Sequence, residues 1–249
     1  MNISTERTED RTAEGGSEVL SLVHAGREKM ALFDPEGYEE AVALLREAIS
    51  ERPDCAPAYS ALAEVYSYWG FRREINGEES GSFYNLSLEY ADMAMTLAPE
   101  RSDSHRAMAV AVRCGPHGDS QKRREDIQIA LDLDPEDPEN WVAGWRVAGY
   151  PLEGEAVRRI MIVKPPHLGA MIDLGAVQCE RGYLDDAIET LQRAIRIHPR
   201  NTLAYYNLAM VLDRKGRRNQ AIRILNKLNE VRVDDPLIEH ATELLLGGA

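Results

Sequence analysis

The sequence contains few residues whose type and spacing could support catalysis. Its six histidines are scattered along the chain: His24, His105, His117, His167, His198 and His240. The run His-Gly-Asp-Ser at residues 117–120 has the composition of a triad, but its members adjoin in a predicted turn, whereas triads are assembled across space. Cys114 and Cys179 lie late in predicted helices without a neighbouring histidine, which favours buried thiols over nucleophiles.

Sequence motifs for nucleotide, zinc and acyl chemistry are missing too. The chain has no Gly-x-x-x-x-Gly-Lys-Ser/Thr loop, no His-Glu-x-x-His pair and no Gly-x-Ser-x-Gly elbow. The sequence therefore predicts a protein that is not an enzyme and has no catalytic, cofactor or metal site.

Composition and cysteine usage favour a cytoplasmic helical protein. Of 249 residues, 44% are hydrophobic, 29% are charged and only 6% are aromatic. No apolar N-terminal segment and no run of ~18 apolar residues is present, so neither a secretory signal nor a membrane span is expected. Three widely spaced cysteines, Cys55, Cys114 and Cys179, are typical of free thiols in a reducing compartment.

The charge of the chain is unevenly distributed. The net charge is −13; residues 1–100 hold 20 acids and 8 bases, and the remainder holds 22 acids and 21 bases. Because an acidic chain repels phosphate backbones, nucleic acid is not an expected partner. Basic clusters at residues 122–124 and 214–218 are either solvated turns or contacts for an acidic partner or a membrane surface.

Residues 168–235 contain one pattern twice, at a spacing of 34. Leu174-Gly175 is repeated as Leu208-Ala209, Gly182 as Gly216, and Leu191 as Leu225. A small residue lets two helices approach closely, and a glycine ends a helix in the left-handed conformation. The spacing therefore predicts pairs of antiparallel helices, each pair joined by a glycine turn.

Similar but less regular patterns divide the chain into a tail and six units. The composition of residues 1–16 predicts a disordered tail. The units are expected at 17–53, 56–99, 102–135, 138–165, 168–201 and 202–235, followed by a capping helix at 236–247. An interruption at residues 71–82 reads as an exposed loop, either a tolerated insertion or a binding loop. In the poorly matching fourth unit, Trp141 and Trp145 are either core residues or an exposed aromatic patch.

From residue 17 onward the sequence resembles the tetratricopeptide repeat family. The residues that carry this resemblance at the start are Ala25-Gly26-Arg27, Ala41, Pro53 and Ala56-Pro57-Ala58-Tyr59. The resemblance implies an all-α fold, a right-handed superhelix (α-solenoid) of about six helix-turn-helix units with a C-terminal capping helix. In that family the first helix of each unit lines a concave groove that holds a peptide or another protein.

Mapping the family's groove onto this sequence gives a candidate protein-binding stripe. Its residues are Glu64, Tyr68, Arg106, Arg113, Arg146, Ile172, Tyr206, Asn207 and Met210. One hypothesis is that an acidic segment binds the three arginines while its apolar side chains contact Ile172, Tyr206 and Met210. The alternative is that these arginines are solvated or paired with acids of their own chain.

The resemblance implies a protein–protein interaction module or adaptor without catalysis. Its expected partner is a protein or peptide, with no nucleic acid and no integral membrane insertion. A self-assembling scaffold, in which the acidic first part of one copy contacts basic turns of another, is the alternative.

Overall fold

The computed structural model describes residues 6–112, 120–148, 167–229 and 236–246. Regular structure in these four ranges consists of twelve α-helices, with no strand. The all-α fold predicted from the sequence is thus confirmed. The chain divides into two compact units, which we call unit 1 (residues 1–30 and 34–148) and unit 2 (residues 31–33 and 149–249).

Unit 1 is built from helical hairpins. Its helices are α1 (Glu6–Met30), α2 (Pro35–Glu51), α3 (Ala56–Ile75), α4 (Gly81–Leu97), α5 (Ser102–Val112), α6 (Ser120–Leu133) and α7 (Pro138–Ala148). Successive helices pair as α1–α2, α3–α4 and α5–α6, and α3, α5 and α7 also pack side by side. This stacking aligns the first helix of each hairpin along one face.

Unit 2 contains the two hairpins of the 34-residue pattern and a final helix. Its helices are α8 (Leu168–Glu180), α9 (Leu184–Ile197), α10 (Thr202–Arg214), α11 (Arg218–Asn229) and α12 (Pro236–Leu246). The last helix packs on α10 and α11 and buries Ala241 and Leu245 in their core, while Leu244 faces outward. Helix α12 therefore covers the apolar side of the last hairpin, the role expected of a capping helix.

Both hairpins of unit 2 turn at a glycine in the left-handed conformation. Gly182 has φ +86° and Gly216 has φ +77°, a region that other residues rarely adopt. The Tyr183 N–H donates to the Gln178 carbonyl, and 34 residues later the Arg217 N–H donates to the Leu212 carbonyl. These bonds satisfy carbonyls at the helix end, so the repeated glycines set the repeated turns.

A glycine of the first helix meets a buried leucine of the second helix in two of the hairpins. A Cβ built on Gly175 would lie 2.5 Å from Leu191 Cγ, and one on Gly26 would lie 2.8 Å from Leu45 Cγ. Both leucines are fully buried. Because these distances leave no room for a side chain, the small residue is a steric requirement of the hairpin.

Two segments are more helical than their composition predicts. Residues 6–16, expected to be a disordered tail, belong to α1. Their Glu and Arg residues favour a helix and Gly15 and Gly16 oppose it, and the segment continues a helix that packs through Val19 and Val23. Residues 71–75, expected in an exposed loop, continue α3, so only residues 76–80 separate it from α4.

The predicted second helix of the fourth unit, at residues 153–163, lies outside the described residues.

The glycine–leucine contact can be tested by overfilling it. Replacing Gly175 with Val is expected to lower the free energy of unfolding by about 2 kcal/mol or more, because the new methyl groups collide with Leu191. Urea unfolding followed by circular dichroism measures the loss. Adding Leu191→Ala should recover part of it, so the two losses would not add.

The exposed neighbour Gln192→Ala serves as control and should change stability by less than about 0.5 kcal/mol. Additive losses for Gly175→Val and Leu191→Ala would contradict the contact.

Candidate functional site

The residues predicted to form a binding groove are distributed over both units. In unit 1, Glu64 and Tyr68 lie on α3, Arg106 on α5 and Arg146 on α7. The structure brings their side chains together, but Glu64, Tyr68 and Arg106 are only 1–2% exposed. Arg113 lies outside the described residues.

Arg106 is held by groups of its own unit. Its Nε donates to Glu64 Oε1 at 3.0 Å, and its Nη1 donates to Asn140 Oδ1 at 2.8 Å and to Asp137 Oδ2. Burial alone would lower the pKa of Arg106, but the charges of Glu64 and Asp137 raise that pKa well above its ordinary value. The guanidinium is therefore charged and its charge is compensated internally, which is the alternative that the sequence left open.

Arg106 lowers the pKa of each carboxylate around it, but burial makes the net shifts differ in direction. Burial pushes the pKa of Asp103 upward, but a hydrogen bond from Arg101 and the charges of Arg27 and Arg106 outweigh burial and lower that pKa. Burial also pushes the pKa of Asp137 upward, but the Arg106 charge, the hydrogen bond from the Glu139 N–H and the Arg27 charge together lower that pKa. For Glu139, burial dominates and the pKa is raised. Unit 1 thus contains an ionic network that is partly shielded from solvent.

Tyr68 and Arg146 extend this network through a cation–π contact. Arg146 Cζ lies 4.3 Å from the centre of the Tyr68 ring. Burial raises the pKa of Tyr68 to about 12, although the Arg146 charge acts in the opposite direction. The phenol therefore stays protonated at neutral pH, and the side-chain contact bridges α3 and α7 across the intervening α5.

Three further members of the network are absent from the predicted stripe. Arg27 Nη1 lies 3.6 Å from Glu64 Oε1, and Asn140 Nδ2 donates to the carbonyls of Ala130 and Asp134 while Asn140 Oδ1 accepts from Arg106. Asp137 is the third. Arg27 directly follows the Ala-Gly pair of the first unit, a position that could have signalled its place on the inner face of α1.

In unit 2 the predicted stripe is partly accessible. Ile172 is fully buried in the core, whereas Tyr206, Asn207 and Met210 on α10 are half-buried. Tyr206 and Met210 border the core of unit 2 together with Cys179 of the adjacent helix α8. The Tyr206 ring stacks on His240 with their centres 6.2 Å apart and their planes 9° apart. We call Cys179, Tyr206 and Met210 the apolar strip of unit 2.

The two tryptophans of the fourth repeat have different environments. Trp145 is 7% exposed and belongs to the core. Trp141 is half-buried, and its Nε1 donates to the Pro135 carbonyl at 2.9 Å. These contacts favour the packing interpretation over an exposed aromatic patch.

In the part of the chain that the structure describes, no group of three or more His, Cys, Asp or Glu side chains is arranged to hold a metal ion. No described helix is both long enough and apolar enough to cross a membrane.

Removing Arg106 tests the importance of the ionic network. Arg106→Met should lower the free energy of unfolding by about 3–5 kcal/mol, because it leaves the buried Glu64 with only the more distant Arg27 as a partner and removes the ion pair with Asp137. The double variant Arg106→Met with Glu64→Gln should recover part of this loss. Denaturant titration at neutral pH measures both values.

Arg218, whose ion pair with Asp213 is exposed, provides the matched control. Arg218→Met is expected to cost less than about 1 kcal/mol. Equal losses for Arg106→Met and Arg218→Met would show that the network contributes nothing beyond a surface pair.

The lowered pKa values predict a pH dependence on the acid side. A carboxyl whose folded pKa lies below its unfolded value stabilises the fold above the unfolded pKa, about 3.9 for Asp, and this contribution is lost as pH falls through the folded pKa. Asp103→Asn should therefore lower stability at pH 6 and flatten its dependence on pH below about 4. Urea unfolding between pH 2 and pH 6 measures the slope, with the exposed Glu51→Gln as control. If the stability of Asp103→Asn fell with decreasing pH as steeply as that of the wild type, the lowered pKa of Asp103 would be contradicted.

Comparison with known proteins agrees with this architecture. The tetratricopeptide repeat family model matches residues 164–245. No curated protein matches the sequence. Among solved structures, the chain is similar to one from the Cut9–Hcn1 hetero-tetramer of the APC/C, with 14% identity, a TM-score of 0.63, and coverage of 96% of this chain and 45% of that chain. This chain thus spans less than half of that structure's length.

Two further structures share the fold. PilF of Pseudomonas aeruginosa is 15% identical with a TM-score of 0.51, and the match covers 76% of this chain and 85% of that one. A tetratricopeptide repeat protein from Parabacteroides merdae is 15% identical with a TM-score of 0.50, and the match covers 92% and 86% of the two chains. Residues 164–245 match the tetratricopeptide repeat family model, and the described helical hairpins share the fold of these solved structures.

Proposed function

We propose that this protein is an interaction module that binds a segment of another protein along the apolar strip of unit 2. The tetratricopeptide fold is in general a protein-interaction fold without catalysis, and its stacked first helices form extended binding surfaces. The observation that carries the proposal is the accessibility of Tyr206, Asn207 and Met210 on such a helix.

The chemistry of this strip suits an apolar side chain of a partner. A thioether and an aromatic ring lie beside each other at the border of the unit 2 core, and both are adaptable contact groups. Asn207 supplies an amide that can bond the backbone of a bound segment. The partner segment is therefore expected to present one or two apolar residues to the strip and its backbone to Asn207.

The acidic character first expected of the partner finds less support in unit 1. Arg106 already pairs with Glu64 and Asp137, and Arg146 stacks on Tyr68. Because these charges already interact with groups of their own chain, we place the contact with the partner segment in unit 2. A cytoplasmic setting fits the free thiols of Cys55 and Cys179 and remains part of the proposal.

Selection of binding peptides tests this function. Peptides that bind the immobilised full chain are selected from a random library, and their affinity is compared for the wild type and Met210→Glu. The affinity of Met210→Glu for the peptide is expected to be at least tenfold lower, because the new carboxylate must be desolvated beneath an apolar side chain. Gln192→Glu, on the exposed face of α9, is the control and should leave affinity unchanged.

A photo-crosslinking amino acid separates loss of contact from loss of folding. Placed at position 210, it should crosslink to the selected peptide, and placed at position 192 it should not. Crosslinking that is equal at both positions, or affinity that is unchanged in a folded Met210→Glu variant, would refute the proposal. Circular dichroism and thermal unfolding of each variant establish that it is folded.

A further inference from the structure

Unit 2 includes a tripeptide from far upstream, Ala31–Phe33, which precedes α2 in the chain. The Leu168 N–H, at the start of α8, donates to the Ala31 carbonyl at 3.2 Å. Asn201 Nδ2, at the start of α10, donates to the carbonyls of Leu32 and Phe33 at 3.0 and 3.2 Å. All three carbonyls of the tripeptide are thus bound by unit 2.

The aromatic ring of this tripeptide lies against Gly169 of α8, in a space that we call the ring seat. Phe33 is 1% exposed, and a Cβ built on Gly169 would lie 2.6 Å from Phe33 Cδ2 and 2.9 Å from Phe33 Cγ. The missing side chain of Gly169 is therefore the space that the ring fills. Any larger residue at position 169 would exclude the ring.

Phe33 adopts a backbone conformation that a bulky residue avoids. Its φ is +55°, and it is the non-glycine residue with positive φ in the described chain. Such a conformation costs about 1–3 kcal/mol and persists where the surroundings over-determine it. Here the surroundings are the Gly169 seat and the Asn201 amide.

The Asn201 side chain makes a hydrogen bond within its own helix as well as those to the tripeptide. Its Oδ1 accepts from the Ala204 N–H at 3.0 Å and caps α10, and the residue is fully buried. His167, 34 residues earlier, caps α8 in the same way, with its Nδ1 accepting from the Ala170 N–H at 3.0 Å. Each cap binds a backbone N–H at its helix start, and the bond made by Asn201 Oδ1 orients the Asn201 amide donor toward the tripeptide.

We propose that the helix-start face of unit 2, formed by the Leu168 N–H, Gly169 and the Asn201 amide, is a recognition site for a short peptide turn with an aromatic residue. Residues 31–33 occupy it as an internal ligand. The site binds three successive carbonyl groups and one aromatic ring. The aromatic residue of the bound turn has the left-handed backbone conformation. It is separate from the apolar strip and does not rest on the function proposed above.

The experiment removes the internal ring and offers the same ring on a free peptide. The full-length Phe33→Ala variant is titrated with a synthetic peptide of residues 27–38, Arg-Glu-Lys-Met-Ala-Leu-Phe-Asp-Pro-Glu-Gly-Tyr. Amide NMR signals of Leu168 and Ala170 report binding at the helix start. A tethered segment competes at an effective concentration on the order of mM, so the wild type should bind the peptide at least 10-fold more weakly than Phe33→Ala.

A matched double variant tests the ring seat. In Phe33→Ala with Gly169→Ala, the new methyl group takes the space of the ring, and peptide affinity should fall at least 10-fold relative to Phe33→Ala alone. A control peptide with Ala in place of its Phe should show no gain in affinity for either variant over the wild type. If Phe33→Ala does not fold, Phe33→Leu, which keeps an apolar side chain, takes its place in the same titrations.

Three results would overturn the proposal. One is a folded Phe33→Ala variant that does not bind the peptide, and another is equal binding by the Gly169→Ala double variant. The third is a peptide that shifts signals around Met210 and leaves those of Leu168 and Ala170 unchanged, since binding would then occur at the apolar strip.

Discussion

The structure depends on a close approach between the two helices of each hairpin. Gly175 and Gly26 leave no space above their Cα atoms, because Leu191 and Leu45 fill it. Only glycine or a similarly small residue at these positions allows the second helix to lie so near the first. In unit 2 the buried Leu191 then joins the core shared with the next hairpin. The inner faces of the first helices take their positions from this contact, and so do the residues that line them.

The two units use their inner faces differently. In unit 1 the face is filled by charged groups that neutralise one another, with Arg106 between Glu64 and Asp137. Such a network contributes little net stability compared with an apolar core, yet any single member is costly to remove. In unit 2 the corresponding face contains an aromatic ring and a thioether that stay partly accessible. Binding chemistry is therefore easier to accommodate in unit 2, where no buried charge must first be displaced.

Much of the fold was predictable from the sequence, because its determinants are local. Gly182 and Gly216 indicated the turns, and Leu174-Gly175 with Leu208-Ala209 indicated the helix contacts, at a fixed spacing. The site was predictable only in part. The sequence placed Glu64, Tyr68, Arg106 and Arg146 on one face, but the partners of Arg106 include Asp137 and Asn140, which lie beyond the next hairpin turn. Asn140 does lie one repeat spacing of 34 residues after Arg106, but which side-chain groups pair between the two helices depends on the tertiary fold.

Residues 31–33 were unpredictable for the same reason, and they also bear on how the chain folds. Almost all packing in stacked hairpins joins neighbours, a topology of low contact order that folds quickly. The bond from Asn201 to the Leu32 carbonyl instead spans 169 residues. A ribosome must therefore release the segment around residue 201 before this bond can form, long after α1 and α2 are complete. Because synthesis runs from the N-terminus, the contacts of residues 31–33 with unit 2 form only after α1 and α2 have emerged.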